Sequence, residues 1–292
     1  MKTPFTKKAI TRAVGGALMA GGAALLVAGA FSPSALALSI ADTKHNLSVT
    51  GTGAAHLDPA GAVTTTEICV FCHTPHGANI SAQAPLWNKV TNNPTTYTTY
   101  DKLGTSTLKG TVLPVGSVSL ACLSCHDGTM ALNVMINAPG SGGYNPAGAT
   151  FGTMTGADVN TATGTLASGI ITNIGVDLRN DHPVGIEYGG GLATGGDINL
   201  PGDFHGKTYA ANGALNVGTV NGQQVWWVDT SVGTAATREK TDISLYTRTN
   251  TTTGAVEPFV ECASCHDPHS TNTTFLRVAN TGSALCLSCH IK

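Results

Sequence analysis

All eight cysteines of the chain fall in four copies of one short motif, Cys-x-x-Cys-His. The copies are Cys69-Val70-Phe71-Cys72-His73, Cys122-Leu123-Ser124-Cys125-His126, Cys262-Ala263-Ser264-Cys265-His266 and Cys286-Leu287-Ser288-Cys289-His290. This pattern is the attachment signature of c-type haem. The two thiols form thioether bonds to the porphyrin, and the adjacent imidazole becomes the proximal iron ligand. Paired cysteines have two other common uses. Zinc sites take Cys-x-x-Cys without requiring a His after each pair, and disulfides do not require the two-residue spacing. Four motifs that together use every cysteine select haem. The expected cofactor is four covalently bound haem c groups, held by Cys69, Cys72, Cys122, Cys125, Cys262, Cys265, Cys286 and Cys289, with His73, His126, His266 and His290 on the irons.

Six further histidines remain for the opposite face of each iron: His45, His56, His76, His182, His205 and His269. Met130, Met135 and Met154 are the methionine alternatives. The histidine surplus favours bis-His ligation, which implies low-potential haems, because Met ligation raises the potential. His76 and His269 each lie three residues after a proximal His, beyond Pro75 and Pro268. Three residues reach at most about 10–11 Å, too short to pass around a porphyrin edge. If they are ligands, they serve a different haem from the one beside them. Such cross-ligation draws neighbouring haems together.

The motifs begin 53, 140 and 24 residues apart, which groups the haems into two pairs. The expected organisation is a signal peptide over 1–37, an N-terminal haem pair over 38–134, a Gly/Thr-rich middle segment with a distal His over 135–257, and a C-terminal haem pair over 258–292. The leader reading rests on Lys2, Lys7, Lys8 and Arg12, the uncharged run Ala13 to Phe31, and the small-x-small site Ala35-Leu36-Ala37. Its removal leaves 11 Lys and Arg against 17 Asp and Glu. That balance argues against nucleic acid as a partner. No segment of the mature chain is long and apolar enough to span a bilayer.

The 42 threonines and 36 glycines favour extended and turning backbone. Strand signals occur at Gln224–Val228, with weaker ones at Ser117–Leu120 and Ser244–Thr247. The expected fold class is a mostly irregular multihaem cytochrome c. It has short helices at the Cys-x-x-Cys-His motifs and a few short strands. Stacked haems form its core, in place of the aromatic side chains that make up only 5% of the chain.

The run Cys69-Val-Phe-Cys-His-Thr-Pro-His76, followed by Ala84-Pro85-Leu86-Trp87-Asn88, resembles exported multihaem cytochromes with doubled motifs. So do Glu261-Cys-Ala-Ser-Cys-His-Asp-Pro-His269 and Phe275-Leu276-Arg277 through His290. Asp42 to Ser48 and Asp181 to Gly185 are similar to ligand segments of that group. Four haems in this motif order resemble the tetrahaem extracellular cytochromes that polymerise into conductive filaments, the cytochrome nanowire family. The likeness covers about 42–100, 119–130, 176–188 and 258–292. It implies His45 and His182 as distal ligands and His269 as the ligand of an earlier haem in its own chain. It also implies that His76 is lent to a haem of the adjacent subunit. His56 is a close rival of His45, and His205 of His182.

The resemblance implies a non-enzymatic electron carrier, a homopolymer at the cell surface or outside the cell, passing electrons to redox partner proteins or external acceptors. A soluble periplasmic shuttle and a multihaem reductase subunit are the alternatives. The reductase needs an open iron position, which the histidine supply can close on all four.

Overall fold

The computed structural model describes residues 40–106, 108, 110–190, 204–205, 214–230 and 234–291. The expected signal peptide lies outside them. From Ile40 onward they belong to one compact unit. Irregular backbone dominates, as the Gly and Thr content implies. The helices among the described residues are short. α1 spans Ser119–His126, α2 Cys262–Cys265 and α3 Ala284–Leu287, and a single 3-10 turn covers Cys69–Phe71. Each Cys-x-x-Cys-His motif therefore sits on a short helical turn. No helix of the described residues is long and apolar enough to cross a membrane.

The strands are β1 (His56–Leu57), β2 (Val134–Asn137), β3 (Tyr144–Thr150), β4 (Met154–Thr155), β5 (Val159–Asn160), β6 (Thr165–Leu166), β7 (Ile186–Glu187), β8 (Leu215–Val220), β9 (Gln223–Val228), β10 (Ile243–Thr249) and β11 (Val256–Val260). β1 pairs with β4, β2 with β3 and β5 with β6, while the last five form one sheet in the order β7-β11-β10-β9-β8. Every pairing in that sheet is antiparallel. β8 and β9 join through Asn221-Gly222, at φ 49° and 77°. Two left-handed residues at a two-residue hairpin match the right-handed twist of the strands, which is why Asn-Gly suits the position.

The strand signals at Gln224–Val228 and Ser244–Thr247 fall inside β9 and β10. The signal at Ser117–Leu120 is overturned. Ser117 turns to φ 51°, and α1 begins two residues later. Leu120 is buried on that helix, and Val118 stands half-buried just before it, rather than the two alternating on a strand.

Three apolar clusters form the described core, and each borders a motif. The first packs Phe71, Leu57 and Met135 against Cys72 and Cys125. The second packs Trp87, Leu120 and Leu123 against Cys72. The third lies on the large sheet, where Tyr188, Trp226 and Ile243 reach Leu285 and Cys289. Met135 and Met154 are consumed by the first cluster, each only 1% exposed. The sheet also delivers the third motif, since β11 ends at Val260 and α2 starts at Cys262.

Candidate haem-binding sites

The first and third motifs are followed by the same local structure. In the first, His73 Nδ1 donates to the Pro85 carbonyl (2.7 Å), Thr74 N to Leu86 O (2.8 Å) and Asn88 N to Cys72 O (2.9 Å). In the third, His266 Nδ1 donates to the Thr274 carbonyl (2.8 Å), Asp267 N to Phe275 O (2.8 Å) and Arg277 N to Cys265 O (2.8 Å). The proximal residues also bridge their straps alike, His73 with Trp87 and His266 with Leu276. Leu86 and Phe275 occupy equivalent places and both have positive φ, 54° and 59°. Strained backbone of this kind persists only where its surroundings hold it. Here it aims a carbonyl at the imidazole.

These contacts fix the chemistry of the rings. A carbonyl oxygen only accepts, so Nδ1 must carry the proton and Nε2 keeps its lone pair. His126 does the same through Thr172 O at 2.8 Å, His45 through Pro268 O at 3.3 Å, and His182 through Pro183 O at 3.1 Å. Five of the predicted ligands are thus held as the tautomer that binds iron through Nε2.

The fold then brings rings from distant motifs together. His73 and His269 have centroids 6.2 Å apart with planes 22° off parallel. His45 and His126 have centroids 6.1 Å apart. Two imidazoles trans on one metal ion, at metal–nitrogen bonds of about 2 Å, place their ring centres about 6 Å apart. Burial, then the charge of His126, holds His45 down at about 4. Burial also lowers His126, and it lowers His182, on which His290 acts as a nearby charge. Depressed basicity keeps these rings neutral, the form that ligates a metal.

His76, His182, His266 and His269 are exposed. Among the described residues neither His76 nor His266 makes an imidazole ring contact, although His266 lies near enough to His45 and His126 to lower both. His76 is anchored through its backbone, its carbonyl accepting from Thr74 Oγ1 (3.1 Å) and Asn137 Nδ2 (2.7 Å). His56 lies in β1, its Nδ1 donating to Gly53 O at 3.0 Å. His205 is buried beside the fourth motif, where its N–H donates to Cys289 O at 2.9 Å.

All eight thiols are free, and they follow one another through the molecule. Burial and neighbouring Cys125 push Cys72 up to about 12. A hydrogen bond from Cys122 to Cys262, together with burial, raises Cys122, and the same bond lowers Cys262. Burial and Cys262 raise Cys265 to about 11, and burial and Cys265 raise Cys289. The motifs are thereby neighbours in the order first, second, third, fourth.

Buried polar groups complete the sites. Ser119 Oγ at the start of α1 donates to Glu261 Oε2 (2.5 Å) and accepts from Cys262 N (3.0 Å), tying the second motif to the third. Arg248 Nη1 donates to Glu261 Oε1 at 3.0 Å, yet burial outweighs these contacts and raises the Glu261 carboxyl. Trp87 Nε1, beside His73 at 6.3 Å between ring centres, is buried without an acceptor among the described residues. An acidic group on a cofactor held at His73 would satisfy it. Free thiols, Nε2 lone pairs, ring spacing and this orphaned donor all fit haem c. No sequence signal marked the carbonyls of Pro85, Thr172 and Thr274, because any residue type supplies a carbonyl.

Residues 257–292 match the family model of the doubled CXXCH motif. The doubled motif indicates a multihaem c-type cytochrome. Its cysteines indicate covalent binding of haem c. Nothing among curated proteins or solved structures matches the chain.

Proposed function

We propose that the chain is an exported tetrahaem cytochrome that carries electrons along a row of bis-His haems and polymerises head to tail into an extracellular filament. Bound haem supplies one-electron redox chemistry. The chain supplies the rest. Carbonyls lock the Nδ1–H tautomers, helical turns present the thiols, and the apolar clusters pack against Cys72, Cys125 and Cys289. His45, His76, His182 and His269 would each supply a second ligand to an iron. With every iron closed, no substrate position remains, and the protein acts as a conduit rather than an enzyme.

One observation carries the polymer reading. The second histidine of the third motif, His269, stands opposite His73 of the first. The first and third motifs are structurally equivalent, so the second histidine of the first motif, His76, should stand opposite a third-motif histidine. Among the described residues no ring stands opposite His266, whose neighbours His45 and His126 face each other, and His76 is exposed. A second copy lending His76 to the His266 site satisfies both. A head-to-tail contact that does not close on itself gives an open helical array.

Replacement of His76 by Ala tests this. Negative-stain microscopy should show thin fibres for the parent protein and dispersed particles for the variant, with one haem losing its low-spin signature. Normal fibres and four unchanged low-spin haems in the variant would refute the lent ligand. Dispersed particles from the parent protein itself would select the periplasmic shuttle.

A further inference from the structure

Lys89 is 1% exposed. Its Nζ donates to two backbone carbonyls, Leu132 O at 2.7 Å and Val134 O at 2.9 Å. Among the described residues no carboxylate pairs with it. An ammonium out of water without a counter-charge is costly to bury, and its field is little screened. Leu132, one of the two acceptors, belongs to the cluster packed against Cys72, so that field reaches the first motif. Backbone geometry places it there as well, because Asn88, the preceding residue, donates its N–H to Cys72 O at 2.9 Å.

The equivalent strap of the third motif carries its own cation. Asn88 corresponds to Arg277, since each N–H reaches the second cysteine of its motif. The counterpart of Lys89 is therefore Val278, an uncharged side chain packed against the third cluster. The buried carboxylate near the second and third motifs, Glu261, is paired with Arg248. Arg277 is itself a cation, half-buried and donating to the Ala263 and Lys240 carbonyls at 2.9 Å each, so both sites carry a positive charge and Lys89 is the more deeply buried of the two.

We propose that Lys89 tunes the first site: its buried ammonium makes the haem held by Cys69, Cys72 and His73 more readily reduced than an uncharged residue at position 89 would. This rests on the reading that the motifs hold haem. Reduction lowers the net charge of the site by one, and a fixed cation nearby favours that state. The step is a one-electron exchange between two haems of the chain. One is oxidised as the other is reduced, no bond forms or breaks, and no proton moves.

Redox titration of the haem-loaded protein tests this with Lys89→Met and Lys89→Gln, the haem count of each sample being read from its intact mass. Met removes both the charge and the two donors, whereas Gln removes the charge and can still donate to a carbonyl. One of the resolved potentials should fall in both variants while the others hold. Gln carries the test alone if the Met variant fails to load. Unchanged potentials in a loaded variant, an equal fall at every haem, or a fall in Met without one in Gln would overturn the assignment. A parent protein without covalent haem would overturn the underlying reading instead.

Discussion

Asn88 shows how one side chain can hold a motif in place. It is fully buried, and its Nδ2 donates to Val70 O (2.6 Å) and Asn137 O (2.9 Å) while its Oδ1 accepts from Asn137 N (2.8 Å). The amide thereby ties the first motif to β2. Asn88→Leu keeps the volume and strands all three partners, so it should cost about 3 kcal/mol or more by denaturant melt. Glu261 belongs to the same class of buried polar residue, with a titratable consequence. Burial raises its carboxyl above the ordinary 4.5, so the folded chain keeps this proton to higher pH than the unfolded chain does. Its contribution to stability is complete below 4.5 and is lost as pH rises through the folded value. Melts across about pH 4 to pH 8 should show that slope, and Glu261→Gln should flatten it. An unchanged slope would place the raised carboxyl elsewhere. Neither residue was legible as a ligand support in the sequence. Their roles depend on partners 49 and 142 residues away.

The motif turns could be read as elements directly, because Cys-x-x-Cys-His carries its own local geometry. The strands were harder to read. Gln224–Val228 and Ser244–Thr247 carry β-branched and aromatic residues that declare a strand, and the Asn221-Gly222 turn beside them is itself a hairpin signal. β7 and β11, by contrast, gain their identity from pairing across the sheet rather than from composition. Ser117–Leu120 misled because propensity over four residues cannot register a left-handed Ser117. Local backbone also constrains the small strands. Gly156 joins β4 to β5 at φ 116°, and a Cβ there would collide with the Ala54 carbonyl oxygen. Gly156→Ala should therefore cost about 2 kcal/mol or more, read as a lowered melting temperature. A neutral result would mean that this turn rearranges freely.

Across the whole molecule, chemistry was more legible than architecture. The number and type of attachment motifs stand in the primary sequence. That His269 comes to His73 and His45 to His126 required the fold, because ring approach depends on how the chain between the motifs returns. The thiol order, the repeated straps and the three clusters bordering motif cysteines then describe one design. A little-ordered chain places imidazoles in facing pairs and thiols beside them. Intact-mass measurement of the purified protein, under denaturing conditions that strip any loosely held cofactor, tests that design most directly. The expected result is the polypeptide plus the mass of four haems, one per motif. A chain at its bare polypeptide mass, or with zinc released on denaturation, would contradict it.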